Sequence, residues 1–336
     1  MIQEAIRILV EGKPLTAAQS EAAMGEIMDG TVTPAQIAGL AVALRMRGET
    51  VDEVAGFARA MRRRAAKIAA PKGVIADTCG TGGDGMHTLN ISTAAALVAA
   101  GAGVTMAKHG NRAMSSRCGS ADVLGALGVK VDADPSAVER CLLEAGVAFC
   151  FAQVFHPAMK HAGPPRRELG VRTIFNLLGP LTNPAGASAQ LIGVAAGELL
   201  ALEAGALAAL GTGHSLVVHG RDGIDELTTT APTKAIEVRG HRVVRRLTLD
   251  ARVFGFRRVR ISDLAGGSPE ENAAAITGVL EGQKGAFRDV TIYNAGFVCW
   301  LAGLARTPRL GMEAARKSID AGAARAKLRQ LQEATR

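Results

Sequence analysis

The sequence predicts an α/β protein with a small N-terminal helical domain and a larger α/β domain, whose mostly parallel central sheet is flanked by helices. Helix-start signals recur through the first 70 residues, and beyond residue 74 short apolar runs alternate with helical stretches rich in Ala and Leu. Alternation of this kind is typical of a parallel sheet covered by helices. A chain of 336 residues is also long enough to form more than one domain.

The helical domain is predicted to cover residues 1–70. Three threonines in it are each followed three residues later by Gln or Glu, which is the spacing of a helix capping box. They are Thr16, Thr33 and Thr50. Gly30 and Gly48 stand where C-terminal caps are expected. These signals predict a small helical bundle.

The α/β domain is predicted to cover residues 71–336. Helices at about 125–145 and 160–180 are expected to leave it and join the helical domain. Six apolar runs are predicted as strands: Val74–Asp77, Val104–Lys108, Val147–Phe151, Leu191–Val194, Ser215–His219 and Thr291–Asn294. A hairpin is predicted over Ala235–Asp250, and Met312–Arg336 is predicted as a surface helix. Ligands of such sheets bind beyond the carboxyl ends of the strands, so the loops there are the candidate site.

The chain is basic, with 39 Lys and Arg against 31 Asp and Glu and a formal net charge of +8. This excess indicates an anionic partner, which could be a nucleic acid, an acidic membrane surface or a phosphorylated small molecule. The most apolar run, residues 91–107, is short and weakly apolar for a membrane span. Five cysteines without a CxxC pair are typical of reduced, buried thiols in a cytosolic protein.

The loop after the first predicted strand carries a strong binding signal. Four glycines between residues 80 and 85 let the backbone turn sharply and present its amides to a ligand. Ser92 or Thr93 is expected to cap the following helix, whose N-terminus would add positive charge. The glycines also match the GxGxxG dinucleotide fingerprint. The next strand, however, ends in Lys108 where that fingerprint needs an acidic residue, so a dinucleotide site is kept only as an alternative.

Two further loops also carry residues that suit a phosphate-binding site. Between residues 78 and 120, Lys108, Arg112 and Arg117 face a single acid, Asp84, which leaves a net charge of +2. Cations, backbone amides and short hydroxyl groups together compose a site for several phosphates. A third loop carries adjacent acids at residues 225 and 226. Beside phosphates such acids need a cation, and carboxylate and phosphate oxygens suit Mg²⁺.

Taken together and in this order, the motifs resemble those of the anthranilate phosphoribosyltransferase family over nearly the whole chain. They are Gly80–Asp84, Asn90–Thr93, Lys108–Arg112, Gly119–Val123, Arg172–Pro184 and Asp225-Glu226. The resemblance implies the nucleoside phosphorylase-like phosphoribosyltransferase fold. It also implies transfer of the 5-phosphoribosyl group from phosphoribosyl pyrophosphate (PRPP) to the amine of anthranilate, a step of tryptophan biosynthesis. Mg²⁺ as the metal and a homodimer formed through the helical domain are further implications.

The resemblance implies the site residues as well. PRPP is expected to contact Gly80, Gly83, Asp84, Thr88, Asn90, Ile91, Ser92, Thr93, Lys108, His109, Gly110, Asn111, Arg112, Ala113, Met114, Ser115, Ser116 and Ser120. Anthranilate is expected to contact Gly80, Asn111 and Arg166, and the metal to contact Ser92, Asp225 and Glu226. No residue is implied as a catalytic acid or base. Gln153, Phe155 and Gly125 depart from the family's usual residues.

Two alternatives stay open. A nucleic-acid-binding relative without transferase activity would suit the basic runs at Arg62–Arg64, Arg245-Arg246 and Arg257–Arg260, but a single Trp and a single Tyr provide no evident stacking platform. A nucleoside phosphorylase of the same fold would need less room for a second phosphate. The arrangement of cations on two loops and acids on a third favours pyrophosphate over this second alternative.

Overall fold

The computed structural model describes residues 1–113 and 117–336. The chain begins with four helices, which are α1 (Ile2–Val10), α2 (Ala17–Met28), α3 (Pro34–Arg47) and α4 (Val51–Arg64). The three predicted capping boxes are formed at the starts of α2, α3 and α4, each with the threonine hydroxyl accepting a backbone N–H three residues on. Gly48, at the end of α3, has a positive φ of 88°, as its predicted role as a C-terminal cap requires.

Seven strands form one sheet in the order β3-β2-β1-β4-β5-β6-β7. The strands are β1 (Ile75–Asp77), β2 (Thr105–Gly110), β3 (Val147–Phe151), β4 (Ala189–Gly193), β5 (Thr212–Gly220), β6 (Thr233–Gly240) and β7 (Arg242–Leu249). Strands β1 to β5 are parallel, and β6 and β7 add the predicted antiparallel hairpin. The chain runs outward from β1 to β3 and then returns to place β4 on the other side of β1. The direction of strand progression therefore switches at β1 and β4, which is where open α/β sheets bind ligands.

The remaining helices pack around this sheet. They are α5 (Ile91–Ala102), α6 (Ser120–Ala126), α7 (Pro135–Arg140), α8 (Ala152–Phe155), α9 (Gly163–Leu169), α10 (Leu199–Leu210), α11 (Pro269–Leu280), α12 (Ala286–Leu301), α13 (Pro308–Asp320) and α14 (Ala323–Ala334). Among the described residues, no helix is both long and apolar enough to cross a membrane. The five cysteines are unpaired and buried, as predicted.

Two apolar cores hold the elements together. One contains helices α1 to α4, residues 162–181, α10 and one face of the sheet. The other contains α5 and the C-terminal helices against the opposite face. Residues 125–145, which the sequence analysis assigns to the helical domain, bury Leu127, Val138 and Leu142 in this second core. That assignment is wrong because these side chains pack in the second core and not with helices α1 to α4.

Three other local predictions are wrong. Thr291–Asn294 lies inside helix α12, which is buried on all sides, so its apolar run could not be told from a strand by periodicity. Met312–Arg336 contains most of α13 and all of α14, and its residues Met312, Ile319 and Leu328 are buried in the second core. Helix α5 begins at Ile91 directly after Asn90, with no side-chain cap from Ser92 or Thr93.

Candidate active site

The glycine loop after β1 lies against the end of β4. The backbone N–H of Thr81 donates to the Gly193 carbonyl at 2.9 Å, and the Thr81 hydroxyl accepts from the Ala195 N–H at 3.1 Å. A Cβ atom on Gly80 would lie 3.0 Å from Oδ2 of Asp225. Glycine at this position therefore lets the loop approach the acidic pair.

The next glycines turn the backbone toward open space. Gly82 and Gly83 have positive φ values of 63° and 73°, and a Cβ on Gly82 would meet no atom within 4 Å. L-residues rarely adopt this conformation, so glycine is required for the turn. Arg172 donates a hydrogen bond to the Gly82 carbonyl and holds the loop from outside. Arg172 belongs to the motif Arg172–Pro184, which by itself indicates no role for this side chain.

Lys108, at the end of β2, connects the glycine loop to helix α5. It is only 4% exposed, and its Nζ donates to the Thr78 carbonyl at 2.5 Å and lies 3.4 Å from the Ser92 hydroxyl. The backbone N–H of Ser92 in turn donates to Oε1 of Glu226 at 3.1 Å. Residues from three separate loops thus meet at the start of α5, as the sequence analysis predicts for the carboxyl ends of neighbouring strands.

Three carboxyl groups crowd the same corner. The backbone N–H of Asp225 donates to Oδ2 of Asp84 at 3.3 Å. Burial, together with the negative charges of Asp84 and Glu226, raises the pKa of Asp225 well above its usual value. Burial also raises the pKa of Glu226 to about 7, against the opposing effect of Lys108. Such a cluster stabilises a bound cation and is costly without one.

The chemistry of this donor set fits Mg²⁺. The three side chains offer hard carboxylate oxygens, which Mg²⁺ prefers, and their mutual repulsion would be relieved by a dication. Within residues 1–113 and 117–336, no three Asp, Glu, His or Cys side chains already surround a single metal position. Substrate oxygens and water would therefore complete the coordination shell, as is usual for this ion.

Asp122 organises the described part of the second loop. Its Oδ2 accepts from the backbone N–H groups of Ala113 and Gly119 at 2.9 and 3.0 Å, and its Oδ1 pairs with Arg112 at 3.1 Å. The carbonyl of Asn111 accepts from the Ser120 hydroxyl at 3.4 Å. These bonds hold residues 111–113, at the end of β2, against residues 119–122. The predictions for Met114, Ser115 and Ser116 lie outside the described residues.

Two buried histidines lie beside this loop. The rings of His109 and His156 are 5.2 Å apart, and each has one nitrogen within 3.0 Å of a backbone carbonyl. Burial lowers the pKa of His109 to about 3 and that of His156 to about 4, so both are neutral at physiological pH. A neutral ring bonded to a carbonyl must donate there, which leaves the other nitrogen as an acceptor. Nε2 of His109 is buried without a partner among the described residues.

Asp77 is a residue that the sequence analysis missed. Its carboxylate is fully buried and accepts from the His109 N–H at 3.0 Å and from the Asn183 amide at 2.9 Å, and burial raises its pKa to about 6. Asn183 also donates to the Ala107 carbonyl at 2.7 Å. Together these bonds fix the end of β2 against the end of β1. The available signal was a charged residue at the end of an apolar strand.

Arg166 lies on helix α9. Its guanidinium carbon is 5.7 Å from the centre of the Phe175 ring, and partial burial lowers its pKa. Arg167, its neighbour, is exposed. Arg166, which the resemblance implies for anthranilate, is therefore the more buried of these two adjacent arginines.

Comparisons with known proteins agree with this arrangement. Residues 72–325 match the model of the glycosyl transferase family a/b domain, and residues 3–65 match that of the helical bundle domain of the same family. The anthranilate phosphoribosyltransferase of Pelotomaculum thermopropionicum is 53% identical over 335 residues, which cover 100% of this chain and 97% of that protein. The enzyme of the same name from Anaeromyxobacter sp. (strain K) is 54% identical, with 100% and 99% covered.

Solved structures show the same similarity. The anthranilate phosphoribosyltransferase of Thermus thermophilus superposes with a TM-score of 0.93 at 44% identity, covering 98% of this chain and 99% of that one. The Saccharomyces cerevisiae enzyme in complex with PRPP and Mg has a TM-score of 0.92 at 26% identity, covering 99% and 97%. The fold of this chain is therefore that of these proteins over nearly its full length.

Proposed function

Because this chain belongs to the glycosyl transferase family and, within it, to the anthranilate phosphoribosyltransferases, we propose that its strand-end loops bind PRPP and that its acidic pair binds Mg²⁺. The reaction transfers the 5-phosphoribosyl group to the amine of anthranilate and releases pyrophosphate, as a step of tryptophan biosynthesis. The observation that carries the assignment of the loops is the contact of Lys108 and Glu226 with Ser92. It brings a cation, a helix N-terminus and a carboxylate into one small region.

The PRPP site consists of the two loops. In the first loop it takes in Gly80, Gly83, Asp84, Thr88 and Asn90–Thr93, and in the second it takes in Lys108–Ser116 and Ser120. Backbone amides of the glycine loop and the positive N-terminus of α5 bind phosphate oxygens. Lys108 and Arg112 supply the positive charge.

Ser92, Asp225 and Glu226 hold the metal, with Asp84 beside them. When bound there, Mg²⁺ neutralises negative charge on the pyrophosphate leaving group. The raised pKa values of Asp225 and Glu226 support this assignment, because burial and, for Asp225, the charges of Asp84 and Glu226 make the ionised carboxyl groups costly without a cation.

The protein's own residues act by binding and orientation. An aromatic amine is already a nucleophile, so the reaction needs no strong base to begin, and the main barrier is departure of pyrophosphate from the anomeric carbon. The glycine amides and Lys108 favour the leaving group as its charge grows. Arg166 holds the anthranilate carboxylate, and Asn111 and Gly80 complete the pocket so that the amine faces the sugar.

The proposal includes a homodimer formed through the helical domain. Val10, at the end of α1, is 75% exposed, and Met46, near the end of α3, is 84% exposed. Val171 is 57% exposed and lines, with Met46, a cleft of about 460 Å³. Exposed apolar side chains that line one cleft, as Met46 and Val171 do, favour a protein contact. Light scattering during gel filtration should give twice the chain mass of 34.7 kDa, and Met46→Glu should shift the measured mass toward that of the monomer.

The five unpaired thiols fit a reducing compartment, and we place the enzyme in the cytoplasm.

The test of the function is loss of anthranilate fluorescence. Purified protein is mixed with anthranilate, and PRPP and MgCl₂ are added separately and together. Consumption only when both are present, with release of pyrophosphate, supports the proposal. Release of ribose phosphate from nucleosides by inorganic phosphate, without anthranilate consumption, would assign a phosphorylase. Salt-sensitive DNA binding without turnover would assign the nucleic-acid-binding alternative.

A further inference from the structure

Asn272, on the first turns of helix α11, is a buried amide that none of the sequence motifs includes. It is 1% exposed. Its Oδ1 accepts from the Gly267 N–H at 2.8 Å, and its Nδ2 donates to Oδ1 of Asn90 at 2.8 Å. Because the side chain uses both its acceptor and its donor, its orientation is fixed.

Asn90 continues this connection into the second loop. Its Nδ2 donates to the carbonyl of Cys118 at 3.2 Å. Asn90 is the last residue before α5, whereas Cys118 comes just before Gly119, the N-cap of α6. Asn272 thus contacts the end of the first loop directly and is connected to the second loop through Asn90.

The direction of each bond follows from the one before it. Since Oδ1 of Asn90 accepts from Asn272, the amide group of Asn90 must face the Cys118 carbonyl, which can only accept. Without the donor on Asn272, the Cys118 carbonyl alone selects this orientation of the Asn90 amide. The link between the two loops would then be weakened.

The glycine loop is attached to the same region at a second point. The Leu89 N–H donates to the Leu264 carbonyl at 2.9 Å, and the Gly266 N–H donates to the His87 carbonyl at 2.8 Å. The segment before α11 therefore holds the first loop, while Asn272 joins that loop to the second. Helix α11 acts as a common support for both.

We propose that Asn272 is a positioning residue that sets the separation of the two PRPP-binding loops by orienting Asn90 toward Cys118. The inference rests on the proposed function, because it assumes that both loops contact the same PRPP molecule. Asn272 need not touch the substrate. Its removal should weaken PRPP binding more than it affects anthranilate binding.

The experiment compares Asn272→Asp and Asn272→Ala with the unchanged enzyme. Asn272→Asp keeps the shape and the acceptor for Gly267 but removes the donor to Asn90. We expect the KM for PRPP to rise about tenfold in both variants, while kcat and the KM for anthranilate change less than threefold. Ser318→Ala is the matched control, because Ser318 is buried and donates to the Val98 carbonyl further along α5 at 2.8 Å. It should lower the melting temperature and leave the KM for PRPP unchanged.

A double variant separates positioning from general destabilisation. If Asn272 acts through Asn90, Asn272→Ala should add less than twofold to the KM for PRPP in an Asn90→Ala background. Multiplicative effects of the two substitutions would overturn the inference. So would Asn272 variants that lower the melting temperature as Ser318→Ala does without raising the KM for PRPP.

One readout is independent of turnover. Amide hydrogen exchange of residues 118–123 in the ligand-free protein should be faster in Asn272→Ala than in the unchanged protein, and unaltered in Ser318→Ala. Unchanged exchange in Asn272→Ala would overturn the inference even in an active enzyme. Failure of the unchanged protein to consume anthranilate would instead refute the proposed function, and calorimetric titration with PRPP and MgCl₂ would then show whether the loops bind PRPP at all.

Discussion

The backbone N–H of Ser92 donates a 3.1 Å hydrogen bond to Oε1 of Glu226, although the two residues are 134 positions apart in the chain. This bond ties the N-terminus of α5, where phosphate binds most readily, to the acidic pair that a cation would occupy. The phosphate and metal parts of the site are therefore one connected structure. A substitution in the metal-binding part should therefore also affect phosphate binding, and a substitution in the phosphate-binding part should affect metal binding.

The acidic pair should control the magnesium requirement. We expect Asp225→Asn combined with Glu226→Gln to reduce Mg²⁺-dependent turnover about 100-fold, because the leaving group loses the cation that neutralises it. The unfolding temperature without metal should stay the same or rise, since the crowded carboxylates are replaced by neutral amides. A magnesium titration of initial rates, with a thermal melt of each protein, measures both effects.

Asp222 provides the matched control in the same loop. Its Oδ2 accepts from the Thr228 hydroxyl at 2.8 Å, which is a contact within the loop. Asp222→Asn should lower stability and leave the magnesium titration unchanged. If the double variant instead kept the same magnesium dependence as the unchanged enzyme, the metal assignment would be wrong.

Magnesium should stabilise the protein more at high pH than at low pH. Burial raises the pKa of Glu226 from 4.5 to about 7, so between these values the folded state binds more protons than the unfolded state. The free energy of unfolding without metal should therefore fall as pH rises through about 7. Mg²⁺ binds the deprotonated form, so its stabilising effect should grow over the same range.

Thermal melts from pH 5 to pH 8.5, with and without MgCl₂, test this pH dependence. The single variant Glu226→Gln serves as the comparison and should flatten the difference between the two series. A magnesium-induced shift in melting temperature that is equal at pH 5.5 and pH 8 would contradict the explanation.

Local patterns allowed much of this site to be predicted from the sequence. The glycines at residues 80–85 and the cations that begin at Lys108 follow strands whose apolar runs are distinct, and parallel strand ends must lie at one edge of the sheet. The capping boxes were equally clear because each needs only two residues three positions apart. Predictions of this kind depend on neighbours in sequence.

What could not be predicted depends on distant contacts. Asn272 and Asn90 are 182 positions apart, and nothing in the sequence near either one indicates the other. Thr291–Asn294 was predicted as a strand because a helix buried on every face has no polar side to reveal its period. Residues 125–145 were assigned to the wrong domain because an apolar face does not indicate which core it enters.

Arg166 should determine the affinity for anthranilate. Arg166→Ala is expected to raise the KM for anthranilate about tenfold or more, because a charge-assisted bond to the substrate carboxylate is lost. The KM for PRPP should change less than threefold. Arg166→Lys should recover only part of the loss, since lysine keeps the charge but cannot form two parallel hydrogen bonds. Arg167→Ala, at the exposed neighbouring position, should leave the KM values for both substrates unchanged. If Arg166→Ala raised only the KM for PRPP, Arg166 would belong to the PRPP site and not to the anthranilate site.

Glu203, on helix α10, should be a point of weakness in the first core. Its side chain is fully buried, neither carboxyl oxygen has a hydrogen-bond partner among the described residues, and burial raises its pKa well above the usual value. The folded protein therefore keeps Glu203 protonated, and its contribution to stability falls as pH rises. Glu203→Met, which fills the space with a flexible apolar side chain, should increase the free energy of unfolding by about 1–3 kcal/mol at pH 7.

The increase should be larger at pH 8 than at pH 6, because the unchanged protein loses stability over that range while the methionine variant has no group to titrate at this position. Urea unfolding curves of both proteins at pH 6, 7 and 8 measure this difference in the free energy of unfolding. Glu198→Met, at the exposed N-cap of the same helix, is the control and should change the free energy of unfolding by less than about 0.5 kcal/mol. A Glu203→Met protein less stable than the unchanged one at every pH would mean that the carboxyl group makes a favourable contact in solution.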